Sequence, residues 1–225
     1  GFPTLKGIPI QMAPIFIVGE VDQQANIYYI DAIEHYGLAS DVCPLPAAEA
    51  GCCVVDDYPK VGAAYISSSM PCDGSVASTM YSNRYFKLPN YQVTPPQRFN
   101  EPEVQKYAVK NLWGCIEFIE KQFGGKFDWN AFFEGVKRYN KESNYMIEKW
   151  DVNCTDYPQI CGAALALHRE YEMQIASSLD PKMCMYDAKV NKLMKKGYAH
   201  SVATDNKARY RAIVWSCPAH YYSNF

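Results

Sequence analysis

The sequence carries few of the features that identify the common classes of binding protein and enzyme. Its 22 Lys and Arg residues stand against 24 Asp and Glu residues, so a formal charge of −2 offers no field for nucleic acid or an anionic membrane. The longest early apolar run, residues 12–18, is too short to span a bilayer, and no secretory signal is visible. A Gly-rich phosphate loop, H-E-x-x-H and G-x-S-x-G are all missing. We therefore expect neither nucleic acid nor a membrane as a partner.

The composition is that of a globular protein, with 225 residues and 48% hydrophobic content. Nine cysteines, an odd number, without a secretory signal favour the reducing cytoplasm. The chain begins at Gly1 without a methionine and stops soon after a predicted strand. We therefore expect it to be a piece of a longer polypeptide.

The first part of the chain shows an alternation of helices and strands. A helix is predicted from Ala25 to Tyr36, with Gly37 as its stop. The runs VGAAYISSS at 61–69 and YQVT at 91–94 predict two strands. A short helix from Asp73 to Tyr81 lies between them, which indicates a parallel strand–helix–strand unit.

After residue 97 the pattern changes to long helices. The first is predicted to open with a capping box formed by Asn100 and Glu103 and to end at Gly124. The second starts near Asp128 and carries an apolar stripe that we assign to the core. That stripe consists of Trp129, Phe132, Phe133, Val136, Tyr139, Met146 and Trp150. Two more helices are predicted over 161–177 and 181–198, and YRAIVW at 210–215 predicts a strand.

The predicted fold class is therefore α/β. Residues 1–97 form an α/β domain with a parallel sheet, residues 98–207 form a helical block, and residues 208–225 begin a second, truncated α/β domain.

Three cysteines stand next to prolines, each where an extended segment gives way to a turn. They are Cys43, before Pro44; Cys72, after Pro71; and Cys217, before Pro218. Cys72 follows a predicted strand and precedes a predicted helix, where backbone N–H groups and the helix dipole lower a thiol pKa. Three thiolates at the mouth of an open sheet would hold an iron–sulfur cluster on three of its irons and leave the fourth iron open.

The plainer interpretation is that each of these cysteines is a small buried hydrophobe, because their spacing matches no compact ligand motif. The adjacent Cys52 and Cys53 are reserve ligands, although side chains of neighbouring residues diverge in an extended chain. Core or bystander roles are expected for Cys115, Cys154, Cys161 and Cys184. Nucleotide or CoA-like binding in the crevice, with structural cysteines, is a further possibility.

Other titratable residues offer weaker candidates. His220, beside Cys217, is the best placed for proton transfer. The remaining histidines, His35, His168 and His200, fall in helical or polar surface contexts. Glu49, Asp56 and Asp57 are expected to be solvated loop charges.

Two segments, SSSMPCDGS at 67–75 and RAIVWSCPAHYY at 211–222, resemble the 2-hydroxyacyl-CoA dehydratase and benzoyl-CoA reductase family. The block from residue 88 to 140, with its G-K-F-D turn, is similar to the family as well. The resemblance implies flavodoxin-like α/β domains plus helices, with a 4Fe-4S cluster held by three cysteines. Cys43, Cys72 and Cys217 fall on those ligand positions, and Cys52 or Cys53 are alternatives to Cys43.

The chemistry implied by the resemblance is the oxygen-sensitive elimination of water from a 2-hydroxyacyl-CoA, a lyase reaction of anaerobic fermentation. An ATP-dependent iron–sulfur activator protein delivers one electron, and a ketyl radical at the thioester carbonyl lets the 2-hydroxyl leave. The implied partners are a second dehydratase subunit in a heterodimer, the activator and the acyl-CoA substrate. The alternatives are a benzoyl-CoA reductase-like subunit and a non-catalytic subunit that uses a cluster for electron transfer only.

Overall fold

The structure is a computed structural model that describes residues 1–5, 7, 22, 24–58, 62–70, 72–98, 100–160, 168, 181–201 and 210. The chain divides into two compact units, one of residues 10–127 and one of residues 1–9 with 128–225. Within the described ranges, every helix is too short or too polar to cross a membrane.

The unit of residues 10–127 alternates helices with a small sheet. Its described elements are α1 (Ala25–His35), α2 (Pro44–Val54), β1 (Tyr65–Ser68), α3 (Asp73–Phe86), β2 (Asn90–Val93) and α4 (Pro102–Phe123). The two strands pair in parallel, with Tyr65 opposite Asn90 and Ser68 opposite Val93. This pairing confirms the predicted strand–helix–strand unit and the α/β class. The connecting helix is longer than predicted and ends at Lys87, which adopts a left-handed conformation with a φ of 52°.

Helices α1, α2 and α3 pack through small side chains. Ile33, Ala47 and Ala50 form one buried cluster. The backbones of α1 and α2 approach so closely at Gly51 that an added Cβ would lie 1.9 Å from the carbonyl oxygen of Tyr29. A second cluster buries Cys52, Cys53 and Tyr58. Glycine and alanine therefore set the distance between these helices.

Helix α4 begins later than the sequence predicted. The predicted capping box of Asn100 and Glu103 is wrong, because the N-cap residue is Glu101 and no side chain caps the helix. Pro102 occupies the first turn, where its missing N–H is not needed. The predicted end is confirmed, since Gly124 closes the helix with a left-handed φ of 70°. On the side of β2, the Tyr91 hydroxyl donates to the carbonyl of Asn111 at 2.8 Å.

The second unit contains α5 (Trp129–Asn153) and α6 (Pro181–Ala199) in its described part. The start of α5 is confirmed, because the Asp128 side chain accepts a hydrogen bond from the N–H of Ala131 at 3.0 Å. Helix α6 matches the predicted helix to within a residue. The helix predicted over 161–177 and the strand predicted over 210–215 lie outside the described residues, apart from residues 168 and 210.

The assignment of the α5 apolar stripe to the core is wrong. All seven of its side chains are exposed, from 36% for Met146 to 58% for Trp150. Helix α5 instead meets α6 along a polar seam, in which the Lys149 ammonium lies 2.5 Å from the Asp187 carboxylate and both residues are buried. The seam and the stripe lie on different faces of α5, so the contact with α6 leaves the stripe uncovered.

Candidate functional site

Two of the three predicted ligand cysteines occupy the same structural position on neighbouring helices. Cys43 is the N-cap residue of α2, and Cys72 is the N-cap residue of α3. Both are exposed. Pro44 follows Cys43 at the first helical position, where a proline costs no hydrogen bond. Each cysteine therefore lies directly before the first residue of a helix. The sequence predicted the helix after Cys72, but only a turn after Cys43.

The N-terminal turns of these two helices meet at Gly74. A Cβ added to Gly74 would lie 3.6 Å from the Cys72 sulfur, 2.9 Å from Pro46 Cγ and 3.6 Å from Val42 Cγ1. Val42 directly precedes Cys43, and Pro46 lies in the first turn of α2. The structure thus brings the chain segments of Cys43 and Cys72 together, although 29 positions separate the two residues in the sequence.

The surroundings of Cys72 favour its thiolate form. The backbone N–H of Ser75 and then the Ser75 hydroxyl hydrogen-bond to the sulfur and lower the Cys72 pKa, with a smaller contribution from the N–H of Gly74. Partial desolvation and the charge of Asp73 oppose this effect. The Ser75 Oγ lies 3.7 Å from the Cys72 sulfur. A thiolate is the form that binds iron, so the local electrostatics suit a ligand.

Cys52 and Cys53 have the opposite environment. Both lie inside α2, not in the extended segment that the sequence predicted, and each is only 3% exposed. Burial is the main cause that raises the pKa of Cys52 to about 11 and that of Cys53 to about 12. These two thiols are neutral at physiological pH, which makes them poor candidates to replace Cys43 as a metal ligand.

The expectation that Glu49 is a solvated loop charge is wrong. Glu49 lies within α2, a helix that the sequence prediction missed, and is 1% exposed. The Tyr58 hydroxyl donates to its Oε1 at 3.2 Å. A signal for this helix was present in the sequence, since Pro44 at the first turn and the alanines of PLPAAEAG favour a helix. Asp56 and Asp57 are exposed, as expected.

The third predicted ligand, Cys217, and the predicted proton-transfer residue, His220, lie outside the described residues. Among the described residues, no group of three or more His, Cys, Asp or Glu side chains is arranged to hold a metal ion. Cys43 and Cys72 nevertheless fit thiolate ligands, because both are exposed and their segments adjoin. Cys115, on α4, is half-buried.

Cys72 follows the carboxyl end of β1 by four positions in the chain. Ser69 follows β1 and Thr94 follows β2, and the parallel register of the strands places these two residues side by side. The N–H of Ser69 donates to the Val93 carbonyl at 3.0 Å. Ligands of open α/β sheets bind outside this end of the strands. Cys72 is on the segment that leaves β1 at this end of the sheet.

The sequence profile of the family described as "2-hydroxyglutaryl-CoA dehydratase, D-component" matches residues 13–225. A search of curated proteins found no match. The family match extends over nearly the whole chain and includes both cysteine-bearing helix starts and the segment of Cys217. The resemblance noted at the cysteine segments is thereby confirmed, and the chain belongs to the 2-hydroxyglutaryl-CoA dehydratase D-component family.

Proposed function

We propose that this chain is a subunit, or part of a subunit, of a 2-hydroxyacyl-CoA dehydratase that binds a 4Fe-4S cluster through Cys43, Cys72 and Cys217. The observation that carries the proposal is the meeting of the two cysteine-bearing helix starts at Gly74. The family match supports the dehydratase assignment. The cluster, its three ligands and the reaction mechanism are the proposed part.

Both the position and the electrostatic surroundings of these cysteines fit such a cluster. Cys43 and Cys72 are exposed at adjoining helix N-termini, and the Ser75 N–H and hydroxyl stabilise the charged form of the Cys72 sulfur. The N-terminus of a helix also carries a partial positive charge, which favours an anionic thiolate. When bound, a cluster with three protein ligands supplies an iron with an open position, a Lewis acid toward a substrate oxygen.

The chain itself would bind and orient the acyl-CoA at the carboxyl end of the sheet. Hydroxyl groups of Ser69 and Thr94 follow the two strands there, and Asn111 fixes Thr94 by accepting its N–H at 3.0 Å. Both residues lie at the end of the sheet where α/β proteins bind ligands, and Cys72 follows Ser69 by three positions in the sequence. His220 is the proposed acid or base, which would donate a proton to the departing hydroxyl or accept the proton lost from the substrate carbon.

The proposal includes the partners that the resemblance implies. A second dehydratase subunit completes the enzyme, and an ATP-dependent iron–sulfur activator supplies one electron. Reduction of the thioester carbonyl to a ketyl radical anion would let the 2-hydroxyl leave as hydroxide, and loss of a proton from C3 would complete the water. The electron would then return to the enzyme as the 2-enoyl-CoA forms, so the overall reaction is redox-neutral. We propose a cytoplasmic location, since Cys43, Cys52, Cys53, Cys72 and Cys115 are thiols outside any disulfide in the described part of the chain.

Anaerobic reconstitution of the full chain, together with its partner subunit, tests the ligand set. We expect about four irons and about four sulfides per chain in the unmodified protein. Cys43→Ser, Cys72→Ser and Cys217→Ser should each lower iron content and alter the Mössbauer spectrum. Cys115→Ser is the matched control and should load normally. Iron content unchanged by Cys72→Ser and Cys217→Ser would contradict the proposal.

Substrate profiling of the loaded complex separates the proposed reaction from its alternatives. Loss of water from a 2-hydroxyacyl-CoA, dependent on the activator and ATP, is the expected result. Reduction of an aromatic acyl-CoA without dehydration would assign the chain to the benzoyl-CoA reductase branch. A cluster that four protein ligands hold and that no acyl-CoA perturbs would assign it to electron transfer.

A further inference from the structure

Helix α3 makes two similar cysteine–serine contacts, one at its start and one near its end. The Ser75 Oγ lies 3.7 Å from the Cys72 sulfur, and the Ser82 Oγ lies 3.6 Å from the Cys53 sulfur. Both serines are buried, Ser75 at 4% and Ser82 at 0% exposure. The two contacts differ in their cysteine, since Cys72 is exposed and Cys53 is buried.

The local structure holds Ser75 in place. Its N–H, which also interacts with the Cys72 sulfur, donates to the Cys72 carbonyl at 3.0 Å and closes the first turn of α3. Its own carbonyl accepts a hydrogen bond from the Ser78 hydroxyl at 3.1 Å. Because the Ser75 side chain is buried, little water competes for its hydroxyl. The Ser75 hydroxyl is thus fixed within reach of one side of the Cys72 sulfur.

The direction of this hydrogen bond depends on the state of the cysteine. Either atom can be the donor while Cys72 is a thiol. A sulfur bound to iron carries no proton, so in that state the Ser75 hydroxyl has to donate. Hydrogen bonds to ligand sulfurs withdraw electron density and are among the determinants of the reduction potential of a cluster.

We propose that Ser75 is a positioning residue that donates a hydrogen bond to the iron-bound sulfur of Cys72 and raises the reduction potential of the cluster. This inference rests on the proposed function. The donated bond stabilises the reduced cluster more than the oxidised one, because reduction adds negative charge to the sulfur ligands. Ser75 would thereby ease the uptake of the electron that the activator delivers, and it would hold the Cys72 sulfur in one orientation.

The test is a redox titration of the reconstituted complex, monitored by electron paramagnetic resonance. Ser75→Ala should shift the reduction potential to a more negative value, while iron content stays at the unmodified level. Ser75→Thr keeps a hydroxyl and should restore the unmodified potential. Ser82→Ala is the matched control, because it removes a similar serine from the same helix at a cysteine that is not a proposed ligand.

The outcomes separate this inference from the proposed function. If the cluster loads in the unmodified protein and in Ser75→Ala, and its reduction potential is the same in both, the proposed role of Ser75 is overturned. The proposed ligand set is unaffected by that result. An equal shift in Ser82→Ala overturns it as well, because the effect would then be a general loosening of α3. If Ser75→Ala does not load, Ser75→Gly provides the second hydroxyl-free variant. An unmodified complex that binds no cluster overturns both proposals.

Discussion

Cysteines at the two ends of the α2–α3 helix pair differ in exposure, and their pKa values are shifted in opposite directions. At one end Cys43 and Cys72 are exposed N-cap residues, and hydrogen bonds from Ser75 lower the pKa of Cys72. At the other end Cys52 and Cys53 lie in a buried cluster with tyrosines, and burial raises their pKa values. A thiol is thus a candidate ligand or a core side chain according to its position along the helix.

The cause is the distribution of free N–H groups and water. The first N–H groups of a helix have no partner within the helix and point toward the N-cap residue, where they stabilise negative charge. Inside the helix those groups are already bonded, and a thiolate there would lose its hydration without compensation. The contrast between the two ends can be tested by experiments that address each end separately.

The largest expected effect is a difference in cysteine reactivity. Cys72 in the metal-free chain should react with iodoacetamide at a lower pH than an ordinary thiol, because its pKa is lowered. Cys53, with a pKa raised to about 12, has roughly one thiolate in 10⁵ molecules at pH 7 and should remain unmodified until the chain unfolds. Mass spectrometry of digested samples across a pH series measures both rates.

The same digest contains its own control, since Cys115 lies on α4, outside both ends of the pair, and burial raises its pKa. Its labelling should start at a higher pH than that of Cys72. Equal labelling of Cys72 and Cys53 in the folded chain would contradict the contrast.

Gly51→Ala should cause the next largest effect, at the buried end. The added methyl group would lie 1.9 Å from the Tyr29 carbonyl oxygen, so α1 and α2 would have to separate. We expect the free energy of unfolding to fall by about 3 kcal/mol. Urea denaturation measures it, with Gly125→Ala as the control, because no atom lies within 4 Å of the added group there. Equal stability of the two variants would refute the close approach of the helices.

Tyr58→Phe tests the polar contact within the buried end. It removes the hydroxyl that donates to Glu49 Oε1 at 3.2 Å and leaves the aromatic packing in place. A buried carboxylate that loses a donor should lower the free energy of unfolding by about 1–2 kcal/mol. Tyr28→Phe, at a side chain that is 58% exposed, should change it by less than about 0.5 kcal/mol. A Tyr58 variant as stable as the control would show that this bond contributes nothing.

Gly74→Ala should have the smallest effect on stability and a specific effect at the exposed end. The new methyl group would press on Pro46 Cγ at 2.9 Å, while alanine gains about 1 kcal/mol of helix propensity over glycine. The free energy of unfolding should therefore change by less than about 1 kcal/mol. Iron loading should decrease, because the two helix starts are forced apart. Normal loading would show that their spacing does not matter.

Several elements were predictable from local signals. The β-branched and small residues before Cys72, the glycine at the end of α4 and the helical spacing that starts near Asp128 each predicted an element that the structure contains. Helix α2 was missed because its residues are small and lack an apolar period, and its burial comes from contact with α1 and α3. The prediction that Glu49 is a solvated loop charge was wrong for the same reason.

The stripe on α5 shows a second limit. Its spacing correctly predicted a helix. Periodicity, however, shows only which side chains share a face of the helix and does not show what covers that face. Helix α6 packs instead on the edge that carries Lys149, where the ion pair with Asp187 satisfies two buried charges. Whether a side chain is buried depends on the elements that pack against it, and no local pattern within α5 encodes the position of α6.

The sequence by itself determined the family, the residue types available as ligands and most of the helix and strand positions, because these depend on contiguous residues. Only the tertiary structure decided which cysteines are exposed, which are buried and that the starts of α2 and α3 meet at Gly74. Those outcomes depend on the packing of helices that are distant along the chain. Solvation and the direction of N–H groups then decide the charge on each sulfur.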